Sequence, residues 1–155
     1  GLDYEEFKDK SPFDLSGGEK RKVAIAGVIA MKPEVLILDE PTAGLDPKAH
    51  RDILSMIENI HNHEKNITIL VTHKMDDVAR LADKVLVMES GRLEMIGTPS
   101  EIFSQKDKLQ AMGLSIPEAT ELIGRLVECG LELEPHALTL EQAEETLVRY
   151  FKDRK

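Results

Sequence analysis

Two acids stand side by side at the end of an apolar run: Val35-Leu36-Ile37-Leu38 is followed by Asp39-Glu40, with Pro33 ahead and Pro41 behind. A short run bounded in this way reads as a strand buried on both faces, the kind found in parallel sheets covered by helices. Open sheets of that class bind ligands beyond the carboxyl ends of their strands, where these acids would lie. Adjacent carboxylates there can divide two tasks. One holds a hard divalent ion such as Mg2+, directly or through water, and the other orients or deprotonates an attacking water. Asp39 would serve the metal and Glu40 the water. The same residues could equally be strand-end acids facing solvent, and the pair alone does not choose between the two.

A second segment, Leu15-Ser16-Gly17-Gly18-Glu19-Lys20, has the composition of a phosphate-binding helix start. Ser16 suits an N-cap, Glu19 stands at the third helical position as in a capping box, and two glycines let the backbone approach a ligand. Exposed backbone N–H groups at a helix N-terminus, beside a hydroxyl, attract anions. The plainer alternative is a glycine-rich cap with no ligand.

Both segments need elements to position them. Tyr4 to Lys10 can make a short helix, and Gly17 to Met31 a longer one, apolar enough to be buried and stopped by Pro33. Asp46-Pro47 supplies an N-cap and first-turn pair for a helix with Ile53, Met56, Ile57 and Ile60 at helical spacing. A strand over Ile67 to Val71 leads into Thr72-His73, Met75 to Ala82 reads as a helix, and Lys84 to Glu89 with Arg92 to Ile96 as strands joined through Ser90-Gly91. From Thr98 three capping boxes follow, at Thr98–Glu101, Ser115–Glu118 and Thr139–Gln142, and announce three short helices. In the last two, Leu122, Leu126 and Cys129 share one face, and Leu140, Ala143, Leu147 and Phe151 another.

The order of these residues resembles a known family, the ATP-binding cassette (ABC) ATPases. Leu15 to Lys20 looks like their signature loop, Val35 to Glu40 like their Walker B strand, Ala43-Gly44-Leu45-Asp46 like their D-loop, and His73 like their switch histidine. Four motifs in the same order make the resemblance specific. Ser11-Pro12-Phe13-Asp14, Val23 to Met31 and Pro41 to Pro47 are further similar to the ATPase subunits of energy-coupling factor importers of vitamins and transition-metal ions. Met112 to Pro117, Glu121-Leu122, Gly130-Leu131 and Leu138 to Glu141 resemble that subfamily's C-terminal extension. Glu19 departs mildly, since glutamine is commoner there and either residue closes a capping box.

The resemblance implies an α/β fold: the C-terminal part of a P-loop NTPase domain with a parallel sheet core over residues 1–97, then a helical, dimer-holding extension over 98–155. It implies ATP and Mg2+ as cofactors. Leu15, Ser16, Gly17, Gly18 and Glu19 would grip a nucleotide held by a second ATPase subunit, and Asp46 would link the two sites. Asp39 would hold Mg2+, and Glu40 and His73 would be catalytic. Integral membrane transporter subunits would be partners, at the cytoplasmic face of the membrane. No G-x-x-x-x-G-K-[ST] occurs in the sequence, so a Walker A portion is expected upstream, its strand lying between Ile67–Val71 and Val85–Met88; without it both strands would present open ladder edges. On this reading the chain is a fragment that is inactive alone. Other possibilities are a regulatory or assembly module that binds no ATP itself, and a non-transport cassette ATPase of DNA repair or translation.

Composition sets outer bounds. Hydrophobic residues make up an ordinary 41% of the 155 and charged ones a high, well-mixed 32%, which favours a globular class over disorder. The longest apolar run, Val23 to Met31, is far short of the roughly 20 residues a membrane helix needs. A net charge of −9 argues against a general nucleic-acid binder. Lone Cys129 excludes an intramolecular disulfide framework and reads as a small core residue. His61 and His63 fall on different faces of a helix with no third ligand, and His50 and His136 belong to no constellation.

Overall fold

The computed structural model describes residues 3–63, 66–134 and 137–152, and His136 lies outside them. The chain forms two compact units, Gly1–Thr72 and His73–Lys155.

In the first unit, a short helix α1 (Tyr4–Phe7), opened by the Asp3 carboxylate, and a 3-10 turn at Pro12–Asp14 lead to helix α2 (Gly17–Ile29). Strand β1 (Val35–Asp39), helix α3 (Pro47–His63) and strand β2 (Ile67–Val71) then form a parallel crossover, with Val35 opposite Ile67 and Asp39 opposite Val71. A parallel pair demands such a crossover, and α3 supplies it by burying Ile53, Leu54 and Ile57 at helical spacing. Lys22 of α2 pairs with Asp52 of α3 at 2.8 Å, holding the two helices together.

Two burial expectations fail in this unit. β1 is not covered on both faces: Leu36 is 2% exposed but Ile37 is 63% exposed, and the strand alternates along its length. α2 buries only Ile25 fully, while Val23 and Val28 are exposed, as is Met31 just past its end. A strand or helix that is apolar all round needs cover on two sides, and the described residues supply one.

The second unit begins with helix α4 (Met75–Leu81) and the antiparallel hairpin of β3 (Val85–Glu89) and β4 (Arg92–Gly97). Its two-residue turn has Ser90 at φ 48° and Gly91 at φ 78°, the left-handed pair that matches strand twist. β2 pairs with β1 and β3 with β4, in two separate two-stranded sheets. Among the described residues four helices follow where three were expected: α5 (Pro99–Phe103), α6 (Lys106–Ala111), α7 (Glu118–Glu128) and α8 (Leu140–Lys152). The addition is α6, which has no side-chain cap to announce it and is held by fully buried Leu109. One core joins Met75, Val87, Met95, Ile102, Phe103, Leu109 and Ile116, so the helices after Thr98 pack with the segment that follows His73. A second joins Ala119, Ile123, Ala137 and Ala143 between α7 and α8.

The caps at Thr98 and Thr139 form: Thr98 and Glu101 close a full capping box, and Thr139 Oγ1 accepts from the Gln142 N–H. The Ser115–Glu118 box does not form, because α7 starts only at Glu118 with buried Pro117 as its N-cap. Cys129 is exposed rather than in the core, since it caps the C-terminus of α7 where the chain turns away through Gly130.

Candidate functional site

Ser16 is the N-cap of α2. Its Oγ accepts from the Glu19 N–H at 3.3 Å, and Glu19 Oε2 accepts from the Ser16 N–H at 2.7 Å, the reciprocal box expected from sequence. The bond with the Ser16 hydroxyl, then that with its backbone, holds the Glu19 carboxyl below the usual range, so it stays ionised beside the positive end of the helix. Leu15 is buried and anchors the entry to this turn.

The two glycines that follow differ in what they touch. A Cβ at Gly18 would sit 2.9 Å from the Ala49 Cβ, so the close approach of α2 to α3 already requires glycine there. A Cβ at Gly17 would meet only the Leu45 side chain at an ordinary 3.8 Å. The fold thus explains Gly18, whereas the missing side chain of exposed Gly17 leaves room at a helix N-terminus.

Asp39 ends β1 on its exposed face, and Glu40 follows in left-handed backbone at φ 44°. For a residue with a long side chain that conformation costs about 1–2 kcal/mol and persists only where the surroundings impose it. Three bonds impose it here. The Glu40 N–H donates to the Val71 carbonyl at 2.9 Å, and its own carbonyl accepts from the Ala43 N–H at 3.1 Å and from the Arg21 guanidinium at 3.4 Å. The side chain is half-buried, with Oε2 enclosed. Arg21 is a residue that sequence reasoning missed; its only signal was a cation one turn after the glycine segment.

The loop continues through buried Thr42 to Ala43, Gly44 and Leu45, with Gly44 at φ 72°. Asp46 then opens α3, its Oδ1 accepting from the Ala49 N–H at 3.0 Å and the Lys48 N–H at 2.9 Å. Those backbone donors, Ala49 first, lower its pKa. Asp46 is therefore the N-cap read from sequence. A recess of about 170 Å3 between α2 and β1 is lined by Arg21, Ala24, Val28, Ile37, Asp39 and Pro41.

The first unit brings together the α2 start, the acids ending β1 and the Ala43–Asp46 loop. His73 opens the second unit, exposed and one residue before Lys74, the N-cap of α4. His61 and His63 are exposed near the end of α3, with His63 Nδ1 at 2.7 Å from the Asn59 carbonyl.

Among the described residues no group of three or more His, Cys, Asp or Glu could hold a metal by itself. Mg2+ bound together with phosphates, however, keeps waters and takes one or two carboxylates from the protein. Exposed Asp39, next to Glu40, has the donor type and access for that arrangement.

Residues 1–43 match the family model described as ABC transporter. The chain is 53% identical over 150 residues to the energy-coupling factor transporter ATP-binding protein EcfA2 of Caldanaerobacter subterraneus subsp. tengcongensis, an alignment covering 97% of this chain and 52% of that one. It is 51% identical over 154 residues to the EcfA2 protein of Clostridium tetani, covering 99% and 54% respectively. Among solved structures it resembles cbiO1 from Clostridium perfringens, described as part of the ABC transporter complex cbiONQ, with a TM-score of 0.61 and 41% identity over 80% of this chain and 48% of that one. The chain spans about half the length of the curated relatives it matches.

Proposed function

Because the chain belongs to the ABC transporter ATP-binding family, we propose that the intact protein is an ATP-hydrolysing subunit of an energy-coupling factor importer for vitamins or transition-metal ions. In that protein this stretch supplies the water-activating acid and a nucleotide-gripping helix start. The observation that carries the reading is Glu40: a carboxylate in strained backbone, held at the end of a parallel strand by three hydrogen bonds to its own backbone N–H and carbonyl. Such strain is kept where a side chain must be aimed.

Bound ATP with Mg2+ supplies the phosphoanhydride to be cleaved and the divalent charge that steadies its oxygens. Asp39 is the carboxylate suited to the metal. Glu40 orients a water and accepts its proton, work that requires the carboxylate form and a fixed position. Ser16, Gly17 and Gly18, with Leu15 and Glu19 holding their turn, offer hydroxyl and backbone donors to a nucleotide carried by a second ATPase subunit. The Ala43–Asp46 loop stands against the same helix start, with Leu45 beside Gly17, so that it senses the engagement of that neighbour. His73 contacts the terminal phosphate or the attacking water.

The segment 98–155 serves as a dimer-holding extension. After α7 and α8 have buried their inner faces on each other, Leu122 and Val127 flank that face of α7, and Val148 and Phe151 of α8 also remain exposed, apolar positions for a second subunit to cover. No helix among the described residues is long and apolar enough to cross a membrane. A peripheral position at the cytoplasmic face, against integral membrane subunits, accords with this reading.

The test is Glu40→Gln in the intact protein. Steady-state phosphate release should fall by about 100- to 10,000-fold, the range for loss of a general base, with ATP binding and the unfolding midpoint kept. Undiminished turnover in a folded variant would overturn the assignment.

A further inference from the structure

Helix α7 opens without a side chain of its own to cap it. Its N-cap is Pro117, fully buried, and its first N–H, that of Glu118, donates to Asp76 Oδ1 at 3.0 Å, from a residue 42 positions earlier in the chain. Asp76 stands in the first turn of α4, the helix that begins two residues after His73. The same short helix is packed into the unit's core: Met75 is buried in one cluster with Ile116, and Val78 and Ala79 pack against that cluster together with Leu138, which precedes α8. These seven residues thus hold the start of α7 directly, share a core with Ile116 and Leu138, which precede α7 and α8, and follow His73 by two positions.

We propose that α4 is a lever joining the His73 segment to the C-terminal helical pair, with Asp76 as the positioning residue that fixes α7 to it. An anionic acceptor at a helix start satisfies an N–H the helix cannot, and opposes the dipole of α7 with a charge on α4. Neither helix can then shift by the width of a hydrogen bond without drawing the other or losing that bond. Such coupling is reciprocal: what displaces α7 must act on residues 72–75 as strongly as the reverse. The lever itself needs no nucleotide; its use in signalling between site and tail rests on the role proposed above for His73.

The reciprocal direction can be tested from the tail. Glu118→Pro removes the donor while suiting the position, because proline is favoured at the first helical residue and Pro117 has the extended ψ of 142° that a following proline requires. Asp76→Ala removes the acceptor, and Asp76→Asn restores one without charge. Hydrogen exchange is followed by mass spectrometry in the intact protein without nucleotide. Glu118→Pro and Asp76→Ala should each speed exchange in the first turn of α7 by roughly three- to tenfold, the factor a lost cap is worth. Both should also speed exchange in residues 72–75, and Asp76→Asn should lie near wild type. If Glu118→Pro loosens α7 but leaves residues 72–75 unchanged, or changes neither segment, the lever is refuted. Adding ATP with Mg2+ is a separate arm: wild-type protein should respond at residues 72–75 and at the start of α7, and Glu118→Pro only at the former. No response at 72–75 in the wild type would tell against His73 as a nucleotide contact and leave the nucleotide-free result standing.

Discussion

Two helices of this chain start with the same device and use it differently. At α2, Ser16 and Glu19 exchange bonds of 3.3 and 2.7 Å; at α5, Thr98 and Glu101 exchange bonds of 3.3 and 2.8 Å. Between each pair stand two residues, exposed Gly17 with Gly18 in one box and buried Pro99 with Ser100 in the other. Proline at the first helical position is pre-set for the helix and gives up an N–H that would be orphaned anyway. Glycine does the reverse: it weakens the helix by up to about 1 kcal/mol and leaves its N–H bare. α5 is thus built for stability alone. α2 gives up stability at Gly17, where a Cβ would meet only Leu45 at an ordinary 3.8 Å and the packing of its own unit does not require glycine.

Making the first box like the second is the strongest test of that contrast. Gly17→Pro should leave the unfolding midpoint of the intact protein unchanged or raised, because Ser16 already has the extended ψ of 163° that precedes proline. It should lower ATP turnover by about 100-fold or more, the scale for loss of one preorganised donor. Equal turnover would reduce the first box to a structural cap. Gly18→Ala probes the other glycine. With Ala49 2.9 Å from the new methyl, it should destabilise by about 1–3 kcal/mol in urea unfolding, as overpacking does; a neutral result would mean that α2 and α3 separate freely. The reverse exchange in the second box, Pro99→Gly, should cost about 1 kcal/mol through the freer unfolded chain and leave turnover untouched. The smallest effect is one the boxes share. Glu19 and Glu101 both titrate below the ordinary glutamate range because the capping serine or threonine bonds to their carboxylates. A depressed folded pKa contributes stability that is complete above the unfolded value and is lost as pH falls through the folded one. Glu19→Gln and Glu101→Gln should therefore each lower the thermal midpoint slightly at neutral pH, the deficit vanishing as pH drops well below the usual glutamate range. A deficit that grows in acid would contradict the sign.

Local rules made both boxes legible, along with the Asp46 cap, the hairpin at Ser90-Gly91 and the placement of Asp39 and Glu40 at a strand end. Each depends on residues within four of one another. What escaped depends on distant neighbours. Nothing near Gly18 foretells Ala49, and nothing near Glu118 foretells that its cap comes from Asp76 rather than Ser115. Glu40 looks like any acid after a strand until Val71, Arg21 and Ala43 are seen to fix its peptide in left-handed form. The burial of β1 and α2 was overestimated because periodicity reports how much cover an element can accept, while cover is decided by other layers. Residue type alone puts Cys129 in the core, yet it is exposed, because a helix terminus overrides the average for its side chain.

That exposed thiol at the end of α7 has a practical consequence. It is the single cysteine of the sequence, so a maleimide dye or nitroxide added to this chain attaches at one address without prior mutagenesis. The label would ride on the far end of the helix whose near end Asp76 holds, and a change in its mobility or in its distance to a second probe would report movement of the tail as it occurs.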